Sequence, residues 1–167
     1  MEDYLMSVKA AIAAFFMAIG AFLGWQGIMA AVWVAVMAID YITGTAAAIK
    51  SKEWSSAVAR QGLWHKGGMI AVVIVAALAD FIMAIICEHL PIGIAWTSII
   101  LPLVLAWYIV TELGSILENA VKMGAAVPEW LVKLLKAGLK AVDEQGATIE
   151  NEAEMLINEE DSTEEKE

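Results

Sequence analysis

From Ala10 to Ile39 the chain runs thirty residues without a charged side chain. No soluble surface helix tolerates such a stretch, so the surroundings have to be apolar. A single straight helix over this run would measure ~45 Å against a hydrocarbon core of ~30 Å. The run is interrupted at Gly24-Trp25-Gln26-Gly27, a polar, glycine-flanked point that suits a tight turn. This predicts two spans, near residues 8–24 and 27–49, followed by a third near 67–87 and a fourth near 94–110. Composition agrees: 60% of residues are hydrophobic and only 18% are charged, whereas soluble domains average about half and a quarter. Mean hydropathy is +0.70. The expected fold class is therefore all-α: an integral membrane protein of about four transmembrane helices in one domain. The start Met1-Glu2-Asp3 lacks the basic segment of a signal peptide, so the first span is expected to be retained.

The formal charge of −10 belongs to one place. Asp143 to Glu167 hold 11 acids and one lysine, and the rest of the chain is neutral overall. An acidic tail excludes nucleic acid as its partner. Basic residues set the orientation. Lys50, Lys52, Arg60 and Lys66 lie between spans two and three, and Lys122, Lys133, Lys136 and Lys140 follow span four. With Lys9 and Lys166, all ten bases fall on one side of a four-span arrangement. The positive-inside rule makes that side, and both termini, cytoplasmic in a multi-pass protein. Trp25 and Trp96 then mark the outer boundary, and Trp54, Trp64 and Trp130 the inner one. A three-span version, with one tilted helix over 10–39, moves only Lys9 outside.

Asp40 and Asp80 are the carboxylates well inside the expected spans. Each costs ~2.5–3.5 kcal/mol if ionised near a helix centre. Their expected depths differ by only ~6 Å, counted from Lys50 and Lys66, so a common polar interior is open to both. One reading is a pore lining or a protonation-sensitive contact between subunits. The other is static packing, with each acid neutral or bonded to a hydroxyl such as that of Thr43. Neither acid has a second carboxylate at helical spacing, which argues against acid–base catalysis. Small residues recur one turn apart at Gly20/Gly24, Gly44/Ala48 and Gly67/Ala71. Such pairs let helices approach closely in lipid, either between copies of the chain or within one bundle.

Outside the spans, residues 51–66 form an amphipathic cytoplasmic loop. Residues 111–142 are expected to be cytoplasmic or interfacial amphipathic helices. In the second of these, opened by Pro128, Leu131, Leu134, Leu135, Leu139 and Val142 oppose Lys133, Lys136 and Lys140. That pattern suits a helix on an anionic membrane surface, or one docked on the cytoplasmic face of the bundle. Residues 143–167 are expected to be an acidic tail, disordered or only partly helical. Cys87 is alone, and His65 and His89 fall on opposite sides, so no metal or cofactor site is expected. No set of residues looks catalytic, and the chain reads as a non-enzyme.

The order of particular residues goes further. Asp40-Tyr41-Ile42-Thr43-Gly44-Thr45-Ala46-Ala47-Ala48-Ile49-Lys50 is followed by Ser55-Ser56 and Gly62-Leu63-Trp64-His65-Lys66. Later comes Tyr108-Ile109-Val110-Thr111-Glu112-Leu113-Gly114-Ser115-Ile116-Leu117-Glu118-Asn119, then Gly124 and Pro128. This arrangement, over residues 31–135, resembles the bacteriophage holin family that also includes the clostridial toxin-secretion holins. It departs from the family in having Trp64-His65-Lys66 where a basic pair is more usual, and in its long acidic tail. The resemblance implies a lysis protein of Gram-positive phages or prophages that oligomerises in the bilayer and opens lesions for an endolysin, a peptidoglycan hydrolase. It also marks Lys66, Glu112, Ser115, Glu118, Asn119 and Pro128 as family-motif residues on the cytoplasmic side. Two other readings stay open: a small ion-channel or transporter subunit using Asp40 and Asp80, and an antiholin or accessory scaffold.

Overall fold

The computed structural model describes residues 2–89 and 96–164, with side chains described over 6–7, 24–89 and 96–155. It is all-helical among the described residues: α1 (Glu2–Lys50), α2 (Ser56–His89), α3 (Ile100–Lys122) and α4 (Glu129–Glu164). Three stretches are long and apolar enough to cross a membrane: Gly24–Lys50, Ser56–His89 and Ile100–Lys122. The side chains of the first expected span, residues 8–23, lie outside the described residues. Its helix meets the next at Gly24, which has φ 68° and ψ −166°. A backbone at positive φ favours glycine, and here it breaks α1 where a tight turn is expected. Most of the expected outer loop, 90–95, also lies outside the described residues.

Two helix boundaries differ from the sequence reading. The expected end of the last span at residue 110 is absent, and α3 continues unbroken to Lys122. The cytoplasmic loop expected over 51–66 is short, because α2 already begins at Ser56. Both shifts have one cause. Polar residues that mark an aqueous loop in the sequence are instead paired inside the bundle, so the helices need not end before them.

α3 is the hub and packs against α1, α2 and α4, whereas α1 and α2 touch each other little. α1 runs parallel to α3: Trp33 stacks on Tyr108 with ring centroids 6.0 Å apart, and Lys50 at its end bonds the carbonyl of Met123. Trp33, Met37, Met69 and Leu105 form the buried apolar centre. α2 runs antiparallel to α3 and turns Lys66, Met69, Ala76 and Asp80 inward. Their spacing of three to seven residues keeps them on one helical face. The opposite face of α2, with Val75, Leu78 and Phe81, is exposed and apolar, as a lipid-facing surface should be.

Asp80 fixes the start of α3. Its carboxylate accepts the backbone N–H groups of Ile99 (3.1 Å), Ile100 (3.2 Å) and Leu101 (2.7 Å). The Ser98 hydroxyl (2.7 Å) and Trp96 Nε1–H (3.2 Å) also donate to it. The first turn of a helix leaves four amides without partners, and Ile99, the residue in capping position, makes no side-chain cap. An acid on α2 supplies what the local sequence lacks, at the helix end where negative charge is favoured.

α4 folds back along α3 in the antiparallel sense. Val110 lies 3.9 Å from the position of a Cβ on Gly138, and Leu103 lies 3.8 Å from one on Gly146. Trp107 Nε1 donates to Asp143 at 2.8 Å. Leu131, Val132, Leu135, Leu139, Val142 and Ile149 are half-buried on this side, while Leu134, expected on the same face, is 60% exposed. The helix also continues through the acidic segment to Glu164 instead of giving way to a disordered tail at Asp143. Leu, Met, Ala, Glu and Lys are strong helix formers, and Lys140–Glu144 is a pair of the supporting i,i+4 kind. The fold-back sets up a conflict with lipid. Lys133, Lys136, Lys140, Asp143 and Glu144 are all exposed beside a helix apolar enough to span. Facing hydrocarbon, each would cost about 2.5–3.5 kcal/mol near mid-depth.

Replacing Asp80 with Ala should leave three amides, the Ser98 hydroxyl and the half-buried Trp96 indole N–H without this acceptor. We expect a loss on the order of 3 kcal/mol, with faster amide exchange confined to residues 99–101. Detergent-solubilised protein that unfolds within about 0.5 kcal/mol of wild type would remove Asp80 from this role.

Candidate functional site

Asp40, Lys66 and Glu112 come from three different helices and each lies ten residues from its helix's inner end, at Lys50, Ser56 and Lys122 respectively. At 1.5 Å per residue this puts all three ~15 Å into the bundle. They meet there. Lys66 Nζ contacts Asp40 Oδ2 at 2.9 Å and the two Glu112 oxygens at 2.9 and 2.7 Å. Lys66 and Glu112 are buried, with relative exposures of 9% and 4%. The sequence reading placed Lys66, Glu112 and Asn119 on the cytoplasmic side. In the structure they lie within α2 and α3, where Lys66 and Asn119 bond Asp40 and Glu112 bonds Lys66.

The rest of the motif completes the cluster. Asn119 Nδ2 donates to Asp40 Oδ1 (3.1 Å) and to Thr43 Oγ1 (3.3 Å). The Thr43 hydroxyl in turn donates to the Asp40 carbonyl at 3.1 Å. Ser115 also lies beside the Asp40 carboxylate. A Cβ on Gly44 would sit 3.4 Å from Asn119 Nδ2, closer than most carbon contacts. Glycine at this position lets the Asn119 amide reach across from α3. The Gly44/Ala48 stripe therefore serves packing within the chain at this point. Of the other small pairs, Gly67 has nothing within 4 Å of a built Cβ, and neither does Gly24; the side chains around Gly20 lie outside the described residues. Glu118 is exposed and lines a groove of about 470 Å³ between α3 and α4 opposite Lys136. Pro128 immediately precedes α4, and its carbonyl accepts the Leu131 N–H at 3.1 Å.

Asp40 and Asp80 do not share an interior. Along the α3 axis, Glu112 and Asn119 of the Asp40 cluster lie ~18 Å and ~28 Å from residues 99–101, which bond Asp80. The depth estimate erred because it counted Asp80 from Lys66, taken as a loop residue, when Lys66 is itself ten residues inside α2. Asp80 is saturated by five donors. Asp40 belongs to a charged set of two carboxylates and one ammonium, with a formal charge of −1. Each ion alone would be costly in an apolar bundle, and removal of one partner from such a set costs about 3–5 kcal/mol. The arrangement presents no nucleophile beside a base. Its chemistry is ionic and positional: it ties α1, α2 and α3 at one depth.

The cluster is closed on the α3 side and less so between α1 and α2. A cavity of about 200 Å³ bounded by Asp40, Thr45, Trp54, Gly62, His65 and Lys66 opens beside it. An apolar groove of about 510 Å³ adjoins Lys66 from the other direction, between Met37, Tyr41 and Ile70. At the inner end, Gly124 adopts φ 91°, and a Cβ there would lie 3.0 Å from Lys50 Nζ. The turn into α4 thus depends on glycine for its backbone, and a side chain there would also have to displace the Lys50 ammonium.

Comparison with known proteins places this geometry in context. Residues 17–140 match the family model described as "Bacteriophage holin family", which covers well over half of the chain. An uncharacterized protein of Clostridium perfringens is 34% identical over 59% of this chain, and the aligned part spans 65% of that relative's length. An uncharacterized protein of Halalkalibacterium halodurans is 32% identical over 78% of this chain and 90% of its own. One from Listeria innocua is 34% identical over 77% and 84%. No solved structure matches the chain.

Lys66→Met should strand two buried carboxylates and destabilise the bundle by about 3–5 kcal/mol. Adding Asp40→Asn and Glu112→Gln to that variant should recover most of the loss, since no uncompensated charge remains. Equilibrium unfolding in mixed detergent micelles measures both, and a triple variant no better than Lys66→Met alone would show that the charges are not what holds the helices.

Proposed function

The chain belongs to the bacteriophage holin family, and from that premise we propose that it is a lysis protein that oligomerises in the bacterial cytoplasmic membrane and opens lesions that release a peptidoglycan hydrolase. The observation that carries this reading is the family match over residues 17–140. The meeting of the motif residues Asp40, Thr43, Gly44, Lys66, Glu112 and Asn119 in one buried cluster supports it. A motif dedicated to holding three apolar helices together fits a protein whose work is assembly in a bilayer. The holin family is not an enzyme family, and the partners proposed here are lipid, further copies of the chain and the hydrolase.

A channel or transporter subunit that passes ions along Asp40 and Asp80 finds less support. Asp80 is fully engaged in capping α3, and Asp40 is bound by Lys66 and Asn119. For topology we propose four spans, with Gly24 as the outer turn and both termini cytoplasmic before lesions open. The inner ends of α1, α2 and α3 then carry Lys50, Lys52, Arg60 and Lys122, as the positive-inside rule asks.

Two measurements test this proposal. Expressed alone in a bacterium, the chain should arrest growth and collapse the membrane potential after a delay, and a co-expressed cytosolic muralytic enzyme should convert the arrest into lysis. Gly44→Leu, which drives the Asn119 amide from Asp40, should reach normal membrane levels yet delay or abolish lysis. A potential that stays intact at high expression would favour the antiholin or scaffold reading. For topology, single cysteines in a Cys87→Ala background should be labelled from outside at Gln26 and Glu88 before triggering, and at Val58 only after permeabilisation. Outside labelling at Asp3 would defeat the four-span arrangement.

A further inference from the structure

We propose that α4 lines the lumen of the lesion, with its apolar stripe on α3 and its charged face toward water. This rests on the lesion-forming reading and adds which surface of the chain bounds the hole.

The argument starts from length and register. α4 lies against α3 from Val127 and Val121 at the inner end of the groove to Gly146 and Leu103 near the outer end. Glu129 to Gly146 amounts to ~26 Å of helix, close to the full hydrocarbon thickness of ~30 Å. The residues that touch or approach α3 recur at helical spacing: Leu135, Leu139, Val142, Gly146 and Ile149 are all half-buried. Gly138 and Gly146 sit against α3, where a Cβ at either would be in ordinary contact with an α3 side chain. Asp143 makes a direct bond to Trp107, which is ~10 Å in from the start of α3. The docking is thus specific over the whole length of a helix that is itself apolar enough to span.

The outward face of α4 then decides the environment. Lys133, Lys140 and Glu144 lie on the side of α4 opposite its half-buried stripe and are exposed, and Lys136 is exposed at the edge of the groove. Lys133 pairs with Glu129 at 3.6 Å and Lys140 with Glu144 at 3.5 Å. These pairs are open to the surroundings, with side-chain exposures of 66–89%, so they do not shield the charge from lipid. Hydrocarbon cannot accept that face at this depth, whereas water can. A lone chain in an intact bilayer provides no such water. An assembly of several copies does, if each turns α4 inward around a common lumen, and the apolar outer face of α2 then remains toward lipid. Rings of charge at a pore wall set ion selectivity, and here basic residues would line the inner half while Asp143, Glu144 and Glu150 line the outer half.

The test uses the full-length purified protein in planar bilayers under a potassium chloride gradient. The triple substitution Lys133→Glu, Lys136→Glu and Lys140→Glu should raise the potassium-to-chloride permeability ratio several-fold at undiminished conductance. As an independent measurement, single cysteines are placed at Lys140 and at Leu135 in a Cys87→Ala background and exposed to a cationic methanethiosulfonate reagent. Current should change at Lys140→Cys and not at Leu135→Cys, which faces α3; this pair decides the matter if the triple variant fails to fold. Wild-type conductance with selectivity unmoved by the charge reversal, or equal reactivity at the two positions, would overturn the lumen assignment and leave lesion formation standing. A wild-type protein that passes no current overturns the lesion reading itself, and this inference with it.

Discussion

Lys66 between Asp40 and Glu112 is the interaction on which the remaining structure depends. Within lipid no hydrophobic force draws one apolar helix to another, so association rests on close packing and polar contacts. Most inward positions in this bundle are small or aliphatic, and such surfaces would slide past one another at little cost. The ion cluster removes that freedom. It fixes the depth of α2 against α1 and α3 because Lys66 reaches both carboxylates only in one register. It also sets rotation, since a turn of α3 that withdraws Glu112 withdraws Asn119 from Asp40 as well. Buried ion pairs are poor sources of stability compared with packed apolar residues, and their best-attested use is to specify register. That is the role the geometry gives this one.

The second constraint is the start of α3. A helix entering the bundle after an irregular segment needs partners for its first amides, and Ile99 offers none from its side chain. Asp80 provides them from α2, fourteen residues beyond Lys66 on the same inward face. α2 thus holds α3 at two heights, by a cation low down and by an anion near the top. This explains why α1 and α2 barely touch without the bundle lacking definition. Each is referred chiefly to α3, and the specific contact that joins them directly is the Lys66–Asp40 ion pair at 2.9 Å.

Much of this was legible in the sequence, and the failures have a common origin. The uncharged run from Ala10 to Ile39, the break at Gly24 and the helical character of every segment follow from composition and hydrophobic length. Asp40 stood out as an acid in the wrong solvent, and Thr43 as a neighbour able to bond. What misled was the assumption that a charged residue marks water. Lys66 was counted with the loop, so its span was started at Gly67, and Glu112 and Asn119 were set beyond a span that in fact contains them. A signal was available. Lys66, Met69, Val73, Ala76 and Asp80 repeat at three- and four-residue steps, which is the period of one buried helix face, with the lysine at its head. Two inward acids and one inward cation on neighbouring spans ask for each other. The capping of α3 by Asp80 left no such trace, because it joins an acid to backbone amides, and amides carry no sequence signature. The course of α4 was half-visible. Its stripe of Leu and Val was clear, but a stripe fits a membrane surface and a helix equally well, and only the glycines at 138 and 146 favour the helix.

The distribution of specific contacts has a consequence for how such a chain can behave in a bilayer. The directional bonds among the three spanning helices point into the bundle, to α3 or, for Lys66–Asp40, between α2 and α1. The outward surfaces, such as Val72, Val75, Leu78 and Phe81 of α2, are apolar and without partners among the described residues. In lipid those surfaces gain nothing from meeting copies of themselves beyond ordinary packing, because hydrocarbon chains serve as well. A single chain is therefore well defined and weakly adhesive, which on the proposed lesion-forming reading would let it accumulate without forming fixed oligomers at low density. α4 is the one element whose surroundings change with assembly, since its charged face finds no suitable solvent beside an isolated α3 in an intact membrane. Association that supplies water to that face has a driving force that packing alone lacks. It is also steeply dependent on the number of copies, because a lumen does not exist for one chain or two. The same five charges that make α4 an improbable neighbour for lipid thus make the crowded state differ in kind from the dilute one.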